Sequence, residues 1–340
     1  MILRLPTSAL RTRLEQAHTL SVEYGHQLSN HLPMALAALD ALGADAQRLD
    51  QFTFTYRATH ALVEHTPAGR ARPDWTECLG QYDALSDLRA SLSLLLSQQG
   101  AAALLEQALP RLLESPGAAA FHGLIRVAHA LESGVEAELV EGLAYWSSRW
   151  DPLPEAPLPT APGIDNPDEW LDALDTAWRD EPVSSDAPLI AERMQKVARG
   201  KGWCHQAGRL VLTTLSPEAL LAALARSATA RYMRNRNFTV LHMVTGMRAA
   251  AVLHAHRPMD KSSLKRLCDA LAAASGASNL WRLPTDKPSK SAVADWDTLA
   301  HLACAQDDDH VVKLVHALAW WQARDPDPLW RRAAARALQG

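Results

Sequence analysis

The chain has 340 residues, enough to bury a large core, and carries 34 basic against 38 acidic residues for a formal net charge of −4. That balance excludes a nucleic-acid binder driven by phosphate contacts. Four dispersed cysteines, none in a Cys-x-x-Cys pair, exclude a zinc ribbon and suit a reducing compartment.

The first residues, MILRLPTSALRTRLEQ, lack the apolar centre of a signal peptide, and no run of ~18 uncharged apolar residues occurs. A cytoplasmic protein without a membrane segment is expected. Alanine and leucine dominate, strand-like alternation is nearly absent, and apolar residues recur at helical spacing from end to end. The fold class expected is all-α, one multi-helix domain over residues 1–340 with a Pro-rich crossover at 151–167. The tryptophans are expected mainly as fillers between helices, with some available to line an aromatic pocket.

In chain order, residues 7–18 read as a short helix capped by Thr7 or Ser8. Asn30 can cap the next helix, Pro33 suits its first turn and Gly43 suits its end, which puts His31 at a helix entrance. Asp45–Tyr56 and Tyr82–Gln98 are further helices, with Gly100 interrupting before Ala101–Leu113. In the helix that follows Phe121, His122, Arg126 and His129 fall at i, i+4 and i+7, one polar stripe beside an apolar one. The stripe reads equally well as an exposed face or a buried functional one. The helix from Ala137 to Trp146 is expected to fold back on it as a hairpin.

Six prolines between Asp151 and Pro167 predict an extended connector. Helices resume at 168–178 and 188–198, Arg199–Trp203 reads as a basic loop, and Ser216 caps another helix. On the helix from Phe238, His242 shares a face with Thr245, Gly246 and Ala249, small residues that let a backbone or a ligand approach. Residues 260–275 form a helix, 283–290 a Pro-Lys-rich loop, and Asp295–Ala305 and Pro328–Leu338 the last short helices. Between these two, Asp307-Asp308-Asp309 begin a helix that carries His310 and Lys313 on one inward face. A buried ammonium needs a partner, either a carboxylate such as Asp309 or a metal ion.

The chain contains no His-Glu-x-x-His, Gly-x-Gly-x-x-Gly, Gly-x-Ser-x-Gly or Walker sequence. It does contain four helix-borne histidines in core-like surroundings: His31, His122, His242 and His310. Helical bundles build metal sites from facing side chains of this kind. Five motifs carry a resemblance to the questin oxidase-like family: Asn30-His31-Leu-Pro-Met with Leu42-Gly43-Ala44, Phe121-His122-Gly-Leu-Ile-Arg126 with Glu132, Glu138 to Trp146, Leu241-His242-Met-Val-Thr245-Gly246, and Asp308-Asp309-His310-Val-Val-Lys313.

The resemblance implies oxygen-dependent cleavage of a C–C bond beside a ketone in quinone-type substrates, at a mononuclear non-haem iron. It implies His31, His122, His242 and His310 as Fe(II) ligands and Lys313 as a modified lysine. A CO₂-derived carbamate on Lys313 would act as a carboxylate-like ligand, and four imidazoles with one carbamate oxygen leave one octahedral position for O₂. Departures from the family pattern are Leu32, Pro33 and Met34 after the first histidine, where fungal members carry more histidine, and the arginine at 126.

Arg126, His129, Tyr24 and Tyr145 are candidates for orienting an aromatic or ketone small-molecule substrate. No dinucleotide fingerprint supports an NADPH requirement, so reductant comes from outside or from the substrate. Two alternatives stay open: a non-catalytic α-helical scaffold, and a metal-binding protein without oxygen chemistry. Neither oligomeric state nor substrate identity is legible.

Overall fold

The computed structural model describes residues 3–64, 69–183, 186–286 and 293–339, and 287–290 of the Pro-Lys-rich stretch therefore lie outside the described residues. In chain order the helices are α1 (Ser8–Ala17), α2 (Leu32–Leu42), α3 (Ala46–Thr59), α4 (Leu85–Leu112), α5 (His122–Ser133), α6 (Glu136–Ser148), α7 (Pro167–Asp180), α8 (Ile190–Val197), α9 (Lys201–Gln206), α10 (Pro217–Asn235), α11 (Phe238–His256), α12 (Lys261–Ala277), α13 (Trp296–Cys304), α14 (Asp309–Arg324) and α15 (Pro328–Ala337). The only sheet among the described residues is a hairpin of β1 (Glu23–Tyr24) and β2 (Leu28–Ser29). The fold is all-α, as expected. No helix among the described residues is long and apolar enough to cross a membrane.

The chain divides into two compact units. The first comprises residues 1–108, 122–150 and 292–340, and the second residues 109–121 and 151–291.

In the first unit α2 is the central element. Nearly its whole circumference is buried, as its apolar sequence requires, and it packs against α1, α3, α5, α13 and α14. The Asn30 side chain accepts the Leu32 N–H at its entrance, and Gly43 closes its end with φ +110°, a left-handed conformation that favours glycine. α5 and α6 form the expected antiparallel hairpin, turned at Gly134. A Cβ on Gly142 would stand 3.1 Å from Val127, so glycine is what lets the two helices approach. Arg48 from α3 donates to the backbone carbonyls of Cys304 and Gln306 and to Asp307, which pins the segment leading into α14.

In the second unit the apolar α11 is central, with α10 and α12 against it. Residues 151–166 form no helix or strand, and Ile164 makes an isolated bridge to Leu210. The basic stretch Arg199–Trp203, expected as a loop, is in part helical: α9 starts at Lys201 after the extended Gly200. Tertiary packing decides this, since Gly202 sits where a Cβ would meet Trp178 and Ala177 at 3.2–3.3 Å. At Gly246 the neighbour that comes close is Phe121, 3.0 Å from where a Cβ would be.

Candidate metal centre

Three helices of the first unit bring their N-terminal turns together. Asp308 caps α14 by accepting the backbone N–H groups of His310 and Val311, and this frees the neighbouring Asp309 to turn inward. His31 is the residue immediately before α2. His122 opens α5 after three consecutive left-handed residues, Ala119, Ala120 and Phe121, with φ of +47°, +56° and +69°. Left-handed backbone at non-glycine positions costs of order 1–2 kcal/mol each and persists where surrounding structure over-determines it.

The side chains meet in a buried cluster. His31 Nδ1 lies 2.6 Å from Asp309 Oδ2, and His31 Nε2 lies 2.7 Å from His122 Nε2. The two rings stack at 4.5 Å, and His310 meets His31 edge-on with centroids 4.6 Å apart. The same Asp309 oxygen is 3.0 Å from Lys313 Nζ and 3.4 Å from His310 Nδ1. Lys313 is only 3% exposed, so the expected inward face of α14 is observed.

Electrostatics follow from burial. Desolvation, aided by the Lys313 charge, pushes the His31 imidazole down to about 3, so it is neutral at pH 7. Its single proton then belongs on Nδ1, donated to Asp309, and the Nε2 lone pair faces His122. Burial alone would raise Asp309, but Lys313, His31 and His310 hold it well below the usual carboxylate range. Burial lowers Lys313, and Asp309 opposes that only in part.

This donor set fits a divalent transition ion. A histidine whose Nδ1–H is held by a carboxylate and whose Nε2 points into the site is the usual orientation of a metal-bound imidazole. An ion roughly 2.1 Å from each imidazole nitrogen would set neighbouring ligand atoms roughly 3 Å apart, close to the 2.7 Å seen between His31 and His122. His31, Asp309 and His310 alone place three potential ligand atoms within 4.8 Å of one another.

A family model described as Questin oxidase-like matches residues 28–318. The chain belongs to the questin oxidase-like family. No curated protein matches it. The family description points to an enzyme of the oxidase or oxygenase type. The cluster residues all fall within the matched span, whereas Tyr24 lies just outside it.

Of the residues expected at the site, His31, His122, His310 and Lys313 come together in the first unit. His242 lies in the second unit, 2% exposed on α11, with Nδ1 2.8 Å from the Phe238 carbonyl that fixes its tautomer. Arg126 is buried, but its guanidinium is engaged by Glu138 through bonds of 2.6 and 3.0 Å, with His18 3.3 Å from the same carboxylate. His129 lies beside His316 rather than in the cluster, with ring centroids 5.2 Å apart. Tyr145 secures the hairpin: its hydroxyl is 2.5 Å from Ser29 Oγ and donates to Glu23 at 3.1 Å. Tyr24 bonds to Tyr56, and burial followed by the Asp309 charge raises its phenol, which places it near the cluster.

Two contributions go beyond what the sequence indicates. Asp309, the expected carboxylate partner of Lys313, also orients His31. Tyr56 accepts the His31 backbone N–H at 2.9 Å. The signal for Asp309 was the Asp-x-x-x-Lys spacing on one helix face. Tyr56 offered none, because its contact depends on how α3 packs against α2.

Proposed function

We propose that this chain is a non-haem iron oxygenase that uses O₂ to cleave a C–C bond beside a ketone or in a quinone-like aromatic substrate. The observation that supports it is that His122 and His310 each meet His31 in one cluster, with Asp309 behind His31. A bound ferrous ion supplies the redox reaction with O₂ that amino-acid side chains do not. Asp309 keeps His31 in the tautomer that presents Nε2. His242 as a further ligand rests on the family resemblance alone, and the metal content of His242→Ala tests it.

Lys313 has two readings. The resemblance makes it the modified position: burial favours the neutral amine, whose nitrogen forms a bond to the CO₂ carbon and releases one proton. The 3.0 Å contact with Asp309 favours a second reading, in which Lys313 stays an ammonium and Asp309 supplies the anionic charge. Carbon-13 NMR of protein equilibrated with labelled bicarbonate separates them, since only a carbamate adds a lysine-linked carbonyl resonance.

Metal analysis of protein purified without chelator tests the whole reading. About one iron per chain is expected, falling several-fold in His31→Gln, together with chelator-sensitive oxygen consumption on quinone-like ketones. Less than ~0.2 metal per chain, with no loss of activity on chelation, would sink it. Metal at full occupancy with no oxygen consumption on any such substrate would leave the metal-binding alternative.

A further inference from the structure

Helix α3 supplies no residue to the cluster, yet it holds two of the chain segments that meet there. Near its C-terminal end the Tyr56 hydroxyl accepts the His31 backbone N–H at 2.9 Å, at the entrance to α2. About 12 Å back along the helix, Arg48 reaches the link between α13 and α14. Its Nε donates to the Cys304 carbonyl at 2.6 Å, and its Nη2 donates to the Gln306 carbonyl at 2.6 Å and to Asp307 at 2.8 Å. The base of the side chain is fixed too, because the Arg48 N–H donates to the capping Asp45 at 2.8 Å.

The three aspartates that follow have separate tasks. Asp307 meets Arg48, Asp308 caps α14, and Asp309 faces His31 at 2.6 Å. Only two residues separate the last Arg48 contact from Asp309, so the arginine governs where α14 begins. The carbonyls it takes lie at the end of α13, where a helix leaves acceptors without partners inside it. A planar guanidinium meets them with donors in fixed directions, which an ammonium does not have.

Arg13 makes a comparison on the same helix. It donates to the Ala9 carbonyl at 2.7 Å, to the Ala46 carbonyl at 3.1 Å and to Asp50 at 2.6 Å. Its side chain is 13% exposed against 15% for Arg48. The two arginines are anchored alike, but Arg13 ties α3 to α1, which carries no cluster residue. We propose that Arg48 is a positioning residue for the cluster, setting the start of α14 so that Asp309 and His310 stand against His31. Its effect on metal binding rests on the metal reading above, whereas its placement of Asp309 does not.

Proton NMR of metal-free protein reads that placement through the downfield imidazole proton that His31 shares with Asp309, assigned by its loss in His31→Gln. The resonance should persist in Arg13→Met and move upfield or vanish in Arg48→Met. Arg48→Lys keeps the charge without the fork and should not restore it. Titration with Co(II) should give a Kd at least roughly fivefold weaker in Arg48→Met, short of the loss for a carboxylate bonded to a ligand ring. Arg13→Met should stay within about twofold of wild type. A wild type without the resonance, Arg48→Met with the resonance in place, equal loss in Arg13→Met, or a wild-type Co(II) affinity in Arg48→Met would each overturn the proposal. Where Arg48→Met does not fold, Arg48→Lys decides by the same criteria. A wild type that binds no Co(II) while the proton follows the expected pattern would sink the metal reading and leave the placement of Asp309 standing.

Discussion

Two of the ion pairs buried in the first unit are built differently. Arg126 and Glu138 meet through two parallel bonds between α5 and α6, both residues 2% exposed. Lys313 meets Asp309 through a single oxygen that His31 and His310 also face. Burial alone would lower Arg126, yet Glu138 more than offsets it and the guanidinium is held above its ordinary value. Burial alone would raise Glu138, and Arg126 with His18 holds it down. Lys313 goes the other way: burial wins over Asp309 and the ammonium is weakened. In the first pair each charge strengthens the other, although Arg126 Nη1 has no partner and His18 also faces Glu138. The second is left with chemical capacity, because its amine is partly destabilised.

The largest effect that could break this contrast is expected at the first pair. Glu138→Gln leaves a buried guanidinium without its counter-charge and should cost about 3–5 kcal/mol in urea unfolding. The metal content of the protein that remains folded should not change. A midpoint equal to wild type would mean that solvent or another carboxylate compensates Arg126.

Lys313→Met should show the reverse pattern. Asp309 keeps the His31 N–H as a donor, so the stability loss is smaller, about 1–3 kcal/mol. The carbamate reading of Lys313 has metal content fall at least twofold, whereas the ammonium reading has it retained, since a lysine charge there opposes that of the ion. A large stability loss with metal retained would place Lys313 alongside Arg126 as a structural cation.

The sequence showed these residues without showing this difference. Helical periodicity, Asn30 and Asp308 as caps, Gly43 as a terminator and the α5–α6 hairpin are local features, written within one or two turns of chain, and they are observed. The inward face of α14 was legible for the same reason. Whether His122, Arg126 and His129 formed one site was not, although their spacing on α5 is regular. Each meets a different neighbour: His122 faces His31, Arg126 faces Glu138 and His129 faces His316. Those partners are set by packing between elements far apart in sequence, which periodicity within a helix does not encode. The hairpin Glu23–Ser29 was missed because two residues per strand are too short for alternation to register.

A smaller effect concerns pH, measured on chelator-treated protein. His31 sits at about 3 in the folded chain, from burial first and the Lys313 charge second. The unfolded chain binds that proton near pH 6.5. The stability His31 contributes is therefore complete above about pH 6.5 and is lost as pH falls from there toward 3, by about 1.4 kcal/mol per pH unit. The relevant measurement is the difference in urea stability between wild type and His31→Gln across that window. Parallel curves would show that the imidazole is protonated in the folded state and that Asp309 holds it as a charged pair, closer to the Arg126–Glu138 case.

The smallest effect is expected one layer farther out, where Tyr56 holds the backbone rather than the ring of His31. Its ring is 3% exposed, and burial, reinforced by the Asp309 charge, raises the phenol, which keeps its proton. It therefore accepts the His31 N–H while bonding onward to Tyr24. Tyr56→Phe removes that acceptor without changing the packing volume, and should cost about 1 kcal/mol. The effect on metal affinity should be less than the tenfold or more expected for losing a carboxylate bonded directly to a ligand ring, as in Asp309→Asn. If Tyr56→Phe instead matched Asp309→Asn in metal affinity, the position of the His31 backbone would set the site. The carboxylate shared by Lys313, His31 and His310 would then be secondary to the helix entrance that carries the histidine.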